Sequence, residues 1–187
     1  MSALKHAYRA ARGVPDRLLH RRRHQAAFQR VARLRRARSI LVVCQGNICR
    51  SPYLQAVLQK LLPDIAVSSA GFVGRGRPVP AESLSIAAER EIDLANFRSS
   101  ALTRQKVKAA DLVIVMDARQ ARAIHEAFHG SPERIVIAGD LDPISCDTRA
   151  IADPWNRPLD AFRSSFERLD RCAATLVSLL TVGDVVS

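Results

Sequence analysis

From Ile40 onward, short aliphatic runs alternate with longer stretches in which apolar positions recur every three or four residues. That alternation is the pattern of βαβ units around a parallel sheet. Residues 40–44, ILVVC, are apolar throughout, as a strand covered on both faces requires. In SPYLQAVLQKLL, residues Leu54, Val57, Leu58, Leu61 and Leu62 fall at helical spacing, with Ser51 predicted as N-cap and Pro52 as the first helical position. IAVSSAG reads as a second strand, and GFVGRGRPVPAE as a loop by its glycines and prolines. Helices are predicted over about 80–91, 103–109 and 118–128, and strands at DLVIVM and RIVIA. A proline-marked loop over 140–158 leads to a last helix carrying Phe162, Phe166, Leu169, Ala173, Leu176 and Leu180 on one stripe. The expectation is an α/β fold, a four-stranded parallel sheet with helices on both faces and a phosphate-binding loop after the first strand, without internal repeats.

Residues 1–38 read differently. Phe28, Val31 and Leu34 recur every third residue amid arginines, which suits an amphipathic helix over about 17–36. A disordered, solvated tail is the plainer reading, and an overextended start is a third, since no second Met precedes Met116. Charge sharpens the division. The chain of 187 residues carries a formal net charge of +11. Residues 1–38 hold twelve Lys and Arg against one acid, Asp16, while residues 39–187 hold seventeen of each sign. Basicity thus belongs to an N-terminal extension, residues 1–38, and the domain of residues 39–187 is balanced. The extension is expected to meet an anionic membrane or nucleic acid. No apolar run approaches the roughly 20 residues of a membrane span. Four cysteines without a leader-like segment or regular spacing point to a reducing cytoplasm rather than a secreted disulfide scaffold.

The chemistry concentrates in CQGNICRSP, residues 44–52. It closes the first strand-to-helix turn, where doubly wound sheets bind ligands. Gly46 is able to take a positive φ and Asn47 tolerates one, so the loop can turn successive N–H groups inward. Such a ring at a helix N-terminus suits phosphate, and Arg50 can add a bidentate guanidinium. A thiol on the floor of that cradle gains thiolate character from the same donors. Cys44 is then a nucleophile aimed at phosphorus, with Ser51 placed to hydrogen-bond the sulfur as it leaves. The competing reading makes Cys44 and Cys49 small buried hydrophobes.

The string resembles the pattern C-x-G-N-x-C-R-S-P of the low-molecular-weight protein tyrosine phosphatases. VSSAG, IDLANFRS and DLVIVMD add to the likeness, which spans about residues 39–182. The resemblance implies that Gln45, Gly46, Asn47, Ile48, Cys49 and Ser51 bind phosphate with Cys44 and Arg50. It implies that Asp153, in ADPW, is the general acid and base, that Trp155 lies beside the pocket mouth, and that Ser69 braces the loop through Asn47, although a strand-end serine reads similarly. Hydrolysis of phosphotyrosine or aryl phosphates through a phosphocysteine follows, with no cofactor, no metal, and a phosphotyrosine protein, such as a bacterial tyrosine kinase, as partner. In the family the second loop cysteine can form a reversible disulfide with the nucleophile; a structural role for Cys49 stands beside that one.

Two departures are visible. Phe97 occupies a position where many relatives have a histidine, so one hydrogen bond to Asn47 is expected to be lost. The loop after the second strand lacks the aromatic residue that lines the cleft in eukaryotic members. Asp142, in LDP, is a rival to Asp153 that reads as a turn residue. Cys146 and Cys172 read as incidental, and His125 and His129 as exposed. Protein-arginine phosphatases carry Thr where this loop has Ile48. Thioredoxin-coupled arsenate reductases, on the same fold, need two more cysteines, and none lies between Cys49 and Cys146. A silent phosphate-binding module is disfavoured by the joint presence of Cys44, Arg50 and Asp153.

Overall fold

The apolar runs become four parallel strands, β1 Ser39–Cys44, β2 Ala66–Gly71, β3 Leu112–Val115 and β4 Ile135–Ile137, in the order β2-β1-β3-β4. The structure, a computed structural model, describes residues 2–34 and 36–181, with side chains from Asp16 onward except at residue 17. Position 35 of the expected N-terminal helix and the last residues of the expected domain, 182–187, lie outside the described residues. The helices are α1 Ser2–Arg33, α2 Arg50–Leu61, α3 Ala81–Ala88, α4 Arg104–Ala109, α5 Ala118–Phe128 and α6 Leu159–Thr181. Short 3-10 turns flank β4 at Pro132–Arg134 and Ala138–Asp140. Among the described residues no helix is long and apolar enough to cross a membrane.

The unbroken apolar run of β1 divides between two cores because alternate side chains leave opposite faces of a strand. Ile40, Val42 and Cys44 join the cluster that holds Leu54 and Leu58 of α2 and Phe162, Phe166 and Leu169 of α6. Leu41 and Val43 join Val107 of α4 and Ile124 of α5 on the other side. The apolar stripe of α6 is wholly on the first face, where Phe166 stacks on Tyr53 with ring centroids 3.9 Å apart. Thr103 and Asp117 cap α4 and α5 by accepting from the N–H groups of Lys106 and Gln120.

Strand order places the crevice. After β1 the chain winds to β2 on one side, then returns past β1 to β3 on the other. The carboxyl ends of β1 and β3 therefore face a gap that no crossover covers, the topological switch point of such sheets. Cys44 is the last residue of β1.

The basic segment is not separate from this body. Ala27 and Val31 of α1 are fully buried in the α2/α6 cluster, and Leu34 packs against it. Arg30 donates to the carbonyl of Ile135 (3.1 Å), covering part of the edge strand β4. His24 Nδ1 meets the carbonyl of Asp140 at 2.8 Å, and the N–H of Arg149 donates to Asp16. The hydrophobic core thus extends back past residue 39 into the arginine-rich stretch.

Candidate active site

Asn47, with φ of 52°, turns the loop after β1 back on itself. Its N–H then donates to Cys44 Sγ at 3.2 Å, and Ser51 Oγ donates to the same sulfur at 3.0 Å. Of the two positions able to take a positive φ, Asn47 does and Gly46 does not; a Cβ at Gly46 would make ordinary contacts with Ile48 and Arg77. Ser51 is also not the helix cap. The N-cap is Cys49, which makes no side-chain cap bond, and α2 begins at Arg50. The Ser51 hydroxyl is instead committed to sulfur, and the leading N–H groups of α2 lack a side-chain partner.

A relay of side chains fixes the direction of that hydroxyl. Ser69 Oγ donates to Gln55 Oε1 (2.6 Å), so it accepts from Asn47 Nδ2 (2.8 Å). Asn47 Nδ2 also donates to Ser51 Oγ (2.8 Å), which leaves the Ser51 proton for Cys44. Asn47 Oδ1 accepts from the N–H of Ser100 at 2.7 Å. That backbone donor satisfies the asparagine carbonyl, while Phe97 packs on the core. Gln55 and Ser100 were invisible as site residues in the sequence, because a helix-surface glutamine and a loop backbone amide carry no signal of their own. In the sequence Gly71 marks only the end of the second strand and the start of the loop that follows. A Cβ there would lie 2.8 Å from the Asn47 nitrogen and the Gly46 carbonyl carbon, so the loop can seat only over a glycine.

Arg50 is buried, with NH1 donating to the Ile151 carbonyl (3.0 Å) and NH2 paired with the Asp153 carboxylate. Its Nε is buried with no hydrogen-bond partner. An unpaired guanidinium N–H in this position is costly unless an anion completes it. Asp153 is brought to the site by the loop after β4, whose backbone is tied at nearly every step. Arg168 of α6 donates to the carbonyls of Thr148 and Ala150 (both 2.8 Å), Ser165 to that of Ala152 (3.2 Å), and Ile151 N–H to Met116 (2.9 Å). Gly139 is required for the same loop: a Cβ would sit 2.0 Å from the Arg149 carbonyl oxygen. Asp142 proves more than a turn residue. It accepts from the N–H of Ile144 (3.1 Å), and its buried carboxylate also receives Arg168 and Arg171 at 2.9 Å.

These groups surround a cavity of about 250 Å³. That is below the roughly 300–1,000 Å³ of drug-sized clefts and suits one ring with its phosphate. Of the residues singled out in the sequence, Cys44, Gln45, Gly46, Ile48, Cys49, Arg50, Asp153 and Trp155 line it; Asn47, Ser51 and Ser69 lie behind as the relay. Val73 and Arg77 complete the wall. Three larger hollows among the described residues, about 390, 670 and 770 Å³, lie elsewhere and hold no cysteine. Burial pushes Cys49 up to about 12, reinforced by Cys44 and Asp153 and opposed by Ser83 and Arg50, so it stays protonated. Cys172, on α6, is likewise pushed up by burial, and neither it nor Cys146 reaches the cavity. His125 and His129 are exposed.

The family model for low molecular weight phosphotyrosine protein phosphatase matches residues 39–183. The chain belongs to that family. It is therefore a phosphatase, and its curated relatives are named accordingly. The probable low molecular weight protein-tyrosine-phosphatase EpsP of Ralstonia nicotianae is 38% identical over 138 residues, covering 72% of this chain and 90% of that protein. Among solved structures, the Erwinia amylovora tyrosine phosphatase AmsI is similar at a TM-score of 0.72 and 28% identity, over 78% of this chain and 94% of its own. The YwlE arginine phosphatase of Geobacillus stearothermophilus is similar at 0.70 and 29%, over 77% and 93%. This phosphatase fold thus serves at least two leaving-group chemistries among its neighbours.

Proposed function

We propose that this phosphatase hydrolyses aryl phosphate monoesters, phosphotyrosine in proteins foremost, in two displacements at Cys44. The observation that carries the reading is Cys44 Sγ, held by Asn47 N–H and Ser51 Oγ on the wall of the cavity shared with Arg50 and Asp153. An entering phosphate displaces the Asp153 carboxylate from Arg50, and Nε and NH2 together then offer the parallel donors that two phosphate oxygens accept. The thiolate attacks phosphorus; the P–S bond forms as the bond to the aryl oxygen breaks. A phenol has a pKa near 10, so the departing oxygen needs the proton that Asp153 supplies. Water then attacks phosphorus, Asp153 takes its proton, the P–S bond breaks, and the electron pair returns to Cys44 while the Ser51 hydroxyl bonds the departing sulfur.

The test is turnover of p-nitrophenyl phosphate by wild type, Cys44→Ser and Asp153→Asn. The serine variant is expected to show none, and the asparagine variant a loss of about 10²–10⁴-fold. Substantial turnover by Cys44→Ser would sink the mechanism. Ile48 gives the cavity an apolar wall, which favours an aromatic leaving group over a guanidinium. Faster hydrolysis of a phosphoarginine protein than of a phosphotyrosine protein would transfer the reading to the arginine class.

A phosphotyrosine protein, with a tyrosine kinase as candidate, is the partner this reading calls for. All four cysteines are free thiols, which fits a cytoplasmic setting. Residues 39–187 form the catalytic unit in this reading, with α1 as an added layer. The exposed arginines Arg21, Arg22, Arg33 and Arg36 support the further proposal that this layer meets an anionic membrane or nucleic acid.

A further inference from the structure

The cavity holds a cation that the two displacements do not use. Arg77 lies on the loop between β2 and α3, and its backbone is pinned there. Its N–H donates to Ser99 Oγ (3.0 Å), its carbonyl accepts from Ser99 N–H (2.9 Å), and the next residue, Pro78, bridges Arg98. The side chain is pinned as well. Gly74, at φ +73°, folds over its stem so closely that a Cβ would stand 3.0 Å from Arg77 Cδ. At the other end the guanidinium carbon sits 5.4 Å from the centroid of the Trp155 ring, within the roughly 6 Å over which a cation is attracted to an aromatic face. NH1 reaches over Gly46, 3.6 Å from where a Cβ would be. Arg77 thereby spans the mouth from the phosphate loop to the acid loop.

Its charge is unspent. Among the described residues no carboxylate pairs with Arg77, and the one acid lining the cavity, Asp153, is engaged with Arg50. A guanidinium held by packing at the rim of a pocket for a dianion, and left without a counter-ion, is a preorganised receptor for a further anion. Residues 39–187 are charge-balanced and the excess of +11 lies in residues 1–38, so substitutions at Arg77 alone separate a preference local to the mouth from the field of the basic helix.

We propose that Arg77, seated on Trp155, is a specificity-determining residue that binds a second anionic group next to the phosphotyrosine: the carboxylate of a neighbouring acidic residue or the phosphate of a second phosphotyrosine. The enzyme then selects acidic or clustered phosphotyrosine sites. The inference rests on the phosphotyrosine reading above and is separable from it.

The experiment compares kcat/KM for p-nitrophenyl phosphate and three peptides of equal length. One carries a phosphotyrosine flanked by alanines, one flanked by aspartates and glutamates, and one a second phosphotyrosine nearby. Wild type is expected to favour at least one charged peptide over the alanine peptide by about tenfold at low salt, with the advantage shrinking as KCl is raised. Preference for the acidic peptide identifies a carboxylate as the anion, and preference for the doubly phosphorylated one a phosphate. Arg77→Gln should bring the ratios close to one, and Arg77→Glu should invert them. Equal wild-type values on all three peptides would overturn the inference while leaving the phosphatase reading intact. So would an Arg77→Gln variant that loses the same factor on every substrate, since that would mark Arg77 as a prop for Trp155. If wild type hydrolyses none of the four, the phosphotyrosine reading itself fails and takes this inference with it.

Discussion

At the scale of single residues, Asn47 organises the site by exhausting its own bonding capacity. Its backbone N–H goes to Cys44, its side-chain amide to Ser51 and Ser69, and its carbonyl to Ser100. Cys44, Arg50 and this asparagine stand out in the sequence because they sit within seven consecutive residues, and a contiguous loop carries its own geometry. Gly71 was not legible in that way. It pairs with Cys44 across the β1–β2 register, so its lack of a side chain matters to a loop 24 positions earlier in the chain. Gly71→Ala should push Asn47 and Gly46 off the strand end. We expect p-nitrophenyl phosphate turnover to fall about tenfold or more, because near-attack geometry tolerates little displacement. The accompanying stability loss should be about 1–3 kcal/mol. Kinetics paired with urea melts would show it, and unchanged turnover would mean the loop does not depend on this close approach.

At the scale of elements, α6 has two faces with different work. Phe162, Phe166, Leu169 and Leu176 bury its apolar stripe, as the periodicity predicts. Ser165, Arg168 and Arg171 recur every third residue on a second face and grip the loop that carries Asp153. Asp142 is the anchor of that grip. Burial alone would raise its carboxyl, but hydrogen bonds from Arg171, Ile144 N–H and Arg168 outweigh it and hold the group below its ordinary 3.8. A carboxyl whose folded value is depressed stabilises the fold fully above its unfolded value, and the contribution disappears as pH falls through the folded one. Asp142→Asn should therefore cost about 3–5 kcal/mol at pH 7, the usual penalty for breaking a buried pair. Its stability should converge with wild type as acid protonates Asp142 below the ordinary carboxylate range. Urea midpoints from pH 7 downward test this; two parallel curves would mean that Asp142 carries no linked proton. The sequence showed this aspartate as a turn former, and correctly so, but its arginine partners lie 26 and 29 residues away.

At the scale of the molecule, charge and packing are arranged independently. The excess of basic residues is confined to residues 1–38, yet the helix that bears it buries Ala27 and Val31 in the common core and leaves Arg21, Arg22 and Arg33 exposed. A triple variant, Arg21→Glu, Arg22→Glu and Arg33→Glu, should keep wild-type turnover of p-nitrophenyl phosphate. It should lose binding to anionic vesicles or nucleic acid by more than tenfold at low salt, at about 1 kcal/mol per basic residue near a charged surface. Equal binding by both proteins would remove the proposal. What the sequence by itself determined were the properties written in neighbouring residues: the alternation of strands and helices, the loop after the first strand with its cysteine and arginine, and the place of the charge. Only the tertiary structure decided that Arg77 lies over Trp155, that Gly71 and Gly139 must lack side chains, and that the arginine-rich helix belongs to the core. Each of these depends on the distance between segments far apart in the chain, and burial or close approach is a property of two surfaces that meet, which neither segment encodes alone.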